Sequence, residues 1–262
     1  MTRLTVLIAV ALCLGTGWAA ASPVIRSRPF PHFTQRTCSR ADFTSAGTRV
    51  RAELCRATTN RNAGLGVVVL HGCGGFDTFD HRLADTLPAS GVTTLYVDYF
   101  GPTPVPGSQG FCQTRGAGTT AFRIFDVFAR WQQVVIDAGG ALRRTPGIDP
   151  RAVGLVGWSL GGGLAVETAR TEPGRFAAVA AFSTGGGRFG SSFPVKLPPT
   201  LLLSGGTHDA IPLSSTLALY DAARAAGTHV ELFVYPHGSH NWPGRQGTQG
   251  IRRAAQFLRA NL

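Results

Sequence analysis

The apolar positions of this chain fall into two kinds of run that alternate along it. Gly66–Leu70 (GVVVL) is short, β-branched and bounded by glycine, with no polar alternation, as expected of a strand buried on both faces. Val92–Val97, Ala152–Val156, Ala177–Ser183, Thr200–Leu203 and Val230–Tyr235 also read as strands, and Thr48–Thr58 is strand-like. Between them, apolar residues recur at helical spacing over Asp80–Ser90, Thr120–Leu142, Leu160–Arg170, Pro212–Ala226 and Gln249–Ala260. Phe100–Gly118 is rich in Gly and Pro without a period, and is the longest candidate for a partial lid. Strands alternating with helices predict an α/β domain: a mostly parallel sheet, covered on both faces, with its ligand site at the carboxyl ends of the strands. Only a short stretch separates the strand ending near Ser183 from the one starting at Thr200, so no large cap domain is expected.

The first 21 residues break this pattern. Arg3 supplies a positive start, Leu4–Leu14 an apolar core and Ala19-Ala20-Ala21 a small-residue cleavage site, the layout of a signal peptide. Cleavage near Ala21 would export the protein to a periplasmic or extracellular space. Residues 22–47, rich in Pro, Ser, Thr and Arg, read as an extended N-terminal arm, and 48–262 as one catalytic domain. No stretch reaches 18 apolar residues, so no membrane span is expected.

Composition narrows the partners. The 262 residues carry 25 Lys plus Arg, of which Lys196 is the single lysine, against 14 acidic residues, for a net charge of +11. The arginines are scattered, with no zinc-finger spacing, RNA-recognition signature or basic helix, and nucleic acid is not an expected partner. No cluster has the spacing of metal ligands, and no cofactor is expected. A monomer is favoured. Export gives the cysteines a meaning: Cys38, Cys55, Cys73 and Cys112 allow three pairings, and Cys38–Cys55 with Cys73–Cys112 is preferred because the first two are close in sequence and outside the motifs. The other reading of Cys73 is a small free thiol in a tight turn.

Gly157-Trp158-Ser159-Leu160-Gly161 fits G-x-S-x-G, between an apolar strand and a helix. That context is a strand-to-helix turn, which needs glycine two positions either side of the serine and lifts Ser159 clear of the sheet. Asp209 follows the strand at Thr200–Leu203 and His240 follows the one at Val230–Tyr235, giving the order Ser, Asp, His at three strand ends. Asp98 also ends a strand and His237 lies three residues from His240, so each is a rival for a triad position. His71-Gly72-Cys73-Gly74-Gly75 follows Gly66–Leu70, where an oxyanion donor is needed. The backbone N–H groups of Cys73 and Leu160 are the expected oxyanion hole, with Gly74 the alternative one position on. His71, preceding the turn, reads as a hydrogen-bonded structural residue. Trp158 and Trp242, beside the serine and the histidine, are candidate pocket walls, with packing of the turns as the other reading.

HGCGG (71–75), VDYFG (97–101), GWSLGG (157–162), GGTHDAIP (205–212) and YPHGSHNW (235–242) together resemble the dienelactone hydrolase family of α/β-hydrolases. The GWSLGGG run is similar as well to secreted polyester hydrolases and cutinase-like enzymes. The resemblance implies an α/β-hydrolase fold, Ser159 as nucleophile, Asp209 as acid, His240 as base, and a small-molecule ester or lactone as substrate. The chain departs from the family in two ways, since its best-known members carry cysteine where Ser159 stands and are typically cytoplasmic. Serine favours ordinary ester hydrolysis. A peptidase or acyltransferase on the same triad, and a non-catalytic binding protein of this fold, are the rival readings.

Overall fold

The computed structural model describes Phe33 and residues 37–59, 64–102, 120–185 and 196–262, with the side chains of residues 120–126 outside that description. In chain order the elements are β1 (Cys38–Arg40), β2 (Phe43–Ser45), β3 (Thr48–Val50), β4 (Ala52–Cys55), β5 (Gly66–Leu70), α1 (Thr78–Ala89), β6 (Thr93–Val97) and α2 (Thr120–Arg143). Then come β7 (Val153–Trp158), α3 (Leu160–Thr171), β8 (Val179–Phe182), β9 (Thr200–Ser204), α4 (Leu213–Ala225), β10 (Val230–Val234) and α5 (Gly244–Asn261). Eight strands form one sheet in the order β1-β4-β6-β5-β7-β8-β9-β10. From β6 to β10 neighbours are parallel, while β1 and β4 are antiparallel at one edge. This is the mostly parallel α/β architecture that the alternation predicts.

Strand alternation builds two cores, one on each face. Val68 and Leu70 of β5 join Leu155, Leu164 and Trp131 under α2 and α3, whereas Val67 and Val69 join Leu83, Phe182 and Leu258 under α1 and α5. All four of these β5 side chains are fully buried, each contributing about 1.5–3 kcal/mol relative to exposure. α1 begins at Thr78, ahead of the expected Asp80, because Asp77 caps it: its carboxylate accepts from Phe79 N–H at 2.7 Å, and Asp80 accepts in return from Asp77 N–H at 2.9 Å.

The segment read as an arm, 22–47, holds β1 and β2, so the sheet already begins at Cys38 rather than Thr48. β1 is polar and three residues long, and its place comes from a distant partner. Cys38 stands opposite Cys55 of β4 and is bonded to it. Closing that 17-residue separation is worth about 3 kcal/mol through the unfolded chain. Cys73 is disulfide-bonded too, while Cys112, its expected partner, lies outside the described residues. So do the signal peptide and most of the loop 100–118. Among the described residues no helix is long and apolar enough to cross a membrane.

Candidate active site

Four parallel strands deliver the predicted chemistry to one end of the sheet. β7 ends at Trp158 and the chain turns at once into α3, leaving Ser159 between them at φ 54° and ψ −118°. A non-glycine residue at positive φ costs energy and persists only where its surroundings impose it. Here the neighbours do so. Ser159 N–H donates to Phe182 O at 2.8 Å, and a side chain at Gly157 would strike the Gly161 carbonyl, while one at Gly161 would strike the carbonyls of Leu70 and His71. Both glycines of the motif are therefore needed for close approach, and α3 is pressed against the end of β5.

His240 lies in the loop between β10 and α5. Its Nε2 is 2.9 Å from Ser159 Oγ and its Nδ1 2.7 Å from Asp209 Oδ1. The Asp209 side chain is fully buried and the His240 side chain is 22% exposed, so the acid is shielded while the histidine reaches the surface. Asp209 Oδ1 also accepts from Ile211 N–H at 3.0 Å, and Oδ2 accepts from Gly205 N–H at 2.8 Å and Ser183 Oγ at 2.5 Å. Burial alone would raise this carboxyl, but the hydrogen bonds from His240, Ser183, Ile211 and Gly205 outweigh it, and Asp209 sits below the ordinary carboxylate range. It is ionised at neutral pH and can orient an imidazole through Nδ1–H. The loop carrying His240 is itself clamped. Gln246 accepts from Ser239 N–H at 2.9 Å and donates to Ser239 O at 3.1 Å, and Trp158 Nε1 donates to His240 O at 2.9 Å.

The rivals are occupied elsewhere. Asp98 is ion-paired with Arg51 at 2.5 Å and accepts from Gly101 N–H. His237 is exposed, its ring facing His208 with centroids 6.4 Å apart. Both candidate tryptophans are buried. Trp242 is fully buried against Phe79, Phe182 and Tyr235, with its indole N–H on Ser183 Oγ at 2.7 Å. Trp158, 6% exposed, holds the His240 carbonyl, so both act by packing and hydrogen bonding. Ser183 and Gln246 went unseen in the sequence, where nothing but a place after a strand marks the first and nothing marks the second.

Leu160 opens α3, and its N–H is among those that a helix start leaves without an internal partner. Cys73 and Gly74 sit in a turn closed by Gly75 N–H to Gly72 O at 3.1 Å, beside the elbow. His71, one residue earlier, is 1% exposed, stacked on Tyr99 at 4.2 Å and in contact with Phe76 and Phe100. Its Nδ1 is 2.7 Å from Gly72 O, and Tyr99 Oη donates to its carbonyl at 2.8 Å. Burial pushes the ring down to about 4, against the Gly72 carbonyl and the Asp98 charge. The unfolded chain takes up this proton near pH 6.5, so the stability contributed by the neutral buried ring is full above that pH. It is lost between 6.5 and 4, and amounts to about 3 kcal/mol by the lower end. Urea unfolding of the wild type and His71→Phe at several pH values checks this. The variant is expected to lose less stability across that window, and an identical loss would refute the assignment.

Among the described residues no group of three or more His, Cys, Asp or Glu is arranged to hold a metal ion. No curated protein matches the sequence. Solved structures do match in fold. A dienelactone hydrolase-like promiscuous phosphotriesterase from metagenomic libraries is 18% identical with a TM-score of 0.67, over 86% of this chain and 98% of the other. A dienelactone hydrolase from Anabaena variabilis is 22% identical with a TM-score of 0.65, over 86% and 99%. Est1E from Butyrivibrio proteoclasticus is 14% identical with a TM-score of 0.62, over 84% and 98%. The family model for dienelactone hydrolases matches residues 53–258, from β4 to the last turns of α5. The chain belongs to the dienelactone hydrolase family.

Proposed function

We propose that this protein is an exported serine hydrolase that cleaves small carboxylic esters or lactones through an acyl-enzyme on Ser159. The observation that carries the reading is the chain Ser159 Oγ, His240 Nε2, His240 Nδ1, Asp209 Oδ1, with links of 2.9 and 2.7 Å, which ends on a serine at the start of a helix. His240 takes the Ser159 proton as Oγ attacks the carbonyl carbon, then hands it to the departing alcohol. Asp209 keeps the imidazole in the tautomer with its proton on Nδ1 and stabilises the charged form. The Leu160 N–H and the Cys73 N–H receive the oxyanion, each such donor being worth roughly 3 kcal/mol in the transition state. Water, activated by the same histidine, then releases the acid. These steps use side chains and backbone amides alone. Export is supported by the signal-like first 21 residues and by the Cys38–Cys55 disulfide.

Turnover of p-nitrophenyl acetate and butyrate, beside peptides and alcohol acceptors, tests the reading together with labelling by an alkyl fluorophosphonate. Ester hydrolysis abolished by a single phosphonate adduct on Ser159 is the expected result. Faster peptide cleavage or acyl transfer would move the protein to those classes, and a folded protein that neither turns over nor takes the label would make it a binding protein.

A further inference from the structure

The strand end that receives the Ser159 amide also touches the acid. Ser183 follows β8, is fully buried, and adopts φ 45°, a conformation that a non-glycine residue keeps only under constraint. Its N–H donates to Leu203 O at 2.7 Å, which fixes the backbone and aims Oγ at the acid loop. Oγ has two neighbours, Trp242 Nε1 at 2.7 Å and Asp209 Oδ2 at 2.5 Å. An indole nitrogen can only donate, so Oγ accepts from Trp242 and its single proton is directed at the carboxylate. A separation of 2.5 Å lies within the range of a hydroxyl bonded to an ionised acid.

This arrangement closes a ring. From Asp209 the contacts run through His240, two residues along the chain to Trp242, then through its indole to Ser183 and back to Asp209. With Ser183 and Gly205 on Oδ2, and His240 and Ile211 on Oδ1, rotation of the carboxylate would break bonds on both sides. Trp242 itself stands at φ 49° and is fully buried, so its indole is fixed in turn.

We propose that Ser183 is a positioning residue for this site: its hydroxyl, oriented by the Trp242 indole, locks the Asp209 carboxylate in the plane that presents Oδ1 to His240. The role rests on the serine-hydrolase reading above. It predicts that Ser183 acts on turnover and leaves substrate binding alone, and that Trp242 acts through Ser183.

Ser183→Ala, Ser183→Gly, Trp242→Phe and Ser183→Ala/Trp242→Phe test it against the wild type and Ser159→Ala. Ser183→Ala removes only the hydroxyl and keeps the β-carbon at positive φ, whereas Ser183→Gly removes the whole side chain and suits that φ, so an effect shared by the two comes from the hydrogen bond and not from backbone strain. Both Ser183 variants are expected to lose kcat by roughly 10- to 100-fold, the span of a hydrogen bond to a charged group, with KM within about twofold. Trp242→Phe is expected to lower kcat in the wild-type background and to add nothing in Ser183→Ala. A Ser183→Gly enzyme with wild-type kcat, or a Trp242→Phe effect of equal size in both backgrounds, overturns the proposal. The low-field proton resonance of His240 Nδ1–H gives a readout independent of turnover. It is expected to move in Ser183→Gly and to stay in place in Ser159→Ala. If the wild type turns over no faster than Ser159→Ala while that resonance still moves in Ser183→Gly, the hydrolase reading fails and the positioning of Asp209 stands. A resonance unchanged in Ser183→Gly overturns the positioning.

Discussion

Ser159→Ala is expected to lower ester turnover by about 10⁴-fold or more while leaving the thermal midpoint unchanged. The size follows from what stays behind. On the proposed mechanism, loss of Oγ leaves no nucleophile for His240 to activate and no acyl-enzyme, so the reaction would fall back on water beside the amides of Leu160 and Cys73. Those donors alone keep some advantage over solution, which is why the loss is large but bounded. Stability should not move, because alanine keeps the β-carbon at φ 54°, the Ser159 N–H still bonds Phe182 O, and the lost hydroxyl proton faced only His240. Steady-state kinetics with p-nitrophenyl butyrate and a melting curve check both halves. A variant with more than a tenth of wild-type turnover would remove Ser159 from the chemistry.

How much of this site was legible in the sequence depends on whether the signal was local. β5 and β7 are continuous apolar runs, and the glycines around Ser159 announce a turn that the backbone then makes, so strand, elbow and helix could be placed from adjacent residues. Asp209 and His240 were legible because each follows a strand and the order of strand ends is a property of the chain. Elements held by distant partners were not. β1 is Cys-Ser-Arg, without apolar periodicity, and exists because Cys38 lies opposite Cys55. α5 starts at Gly244, ahead of the expected Gln249, although its first turn holds two glycines. Gln246 is fastened to Ser239, and a side chain at Gly247 would strike the Trp242 carbonyl. Packing there overrides a poor helix propensity. Trp242, which the sequence left between a pocket wall and packing of its turn, is buried with its indole on a buried acceptor, and that acceptor, Ser183, comes from a strand 59 residues away. Contacts among the ends of three strands leave no periodicity to read.

If the proposed triad operates, Asp209→Asn is expected to cost turnover about 10⁴-fold, the pattern of triad acids in serine hydrolases, and about 1–3 kcal/mol of stability. The reason is a count of donors. The carboxylate receives four, two on each oxygen, and two of them are the fixed backbone N–H groups of Ile211 and Gly205. An asparagine amide offers one oxygen and one NH₂, so in either orientation a backbone N–H meets another donor. If the NH₂ faces His240, the imidazole must accept at Nδ1 and carry its proton on Nε2, the tautomer that cannot take a proton from Ser159. If it faces the other way, the Gly205 N–H and the Ser183 hydroxyl lose their acceptor, and an imidazolium formed in the transition state has no negative partner. The linkage has a definite sign. Asp209 is held below its ordinary range, so its contribution to stability is present above the unfolded carboxyl's pH of about 3.8 and is lost as pH falls through the lowered value. Asp209→Asn should therefore be less stable than the wild type at neutral pH, with the gap narrowing in strong acid. Asp98→Asn is the control, since Asp98 pairs with Arg51 and no triad group, and turnover near the wild-type rate is expected there. An Asp209→Asn enzyme within tenfold of wild-type turnover, or an Asp98→Asn enzyme as inactive as Asp209→Asn is expected to be, would reassign the acid.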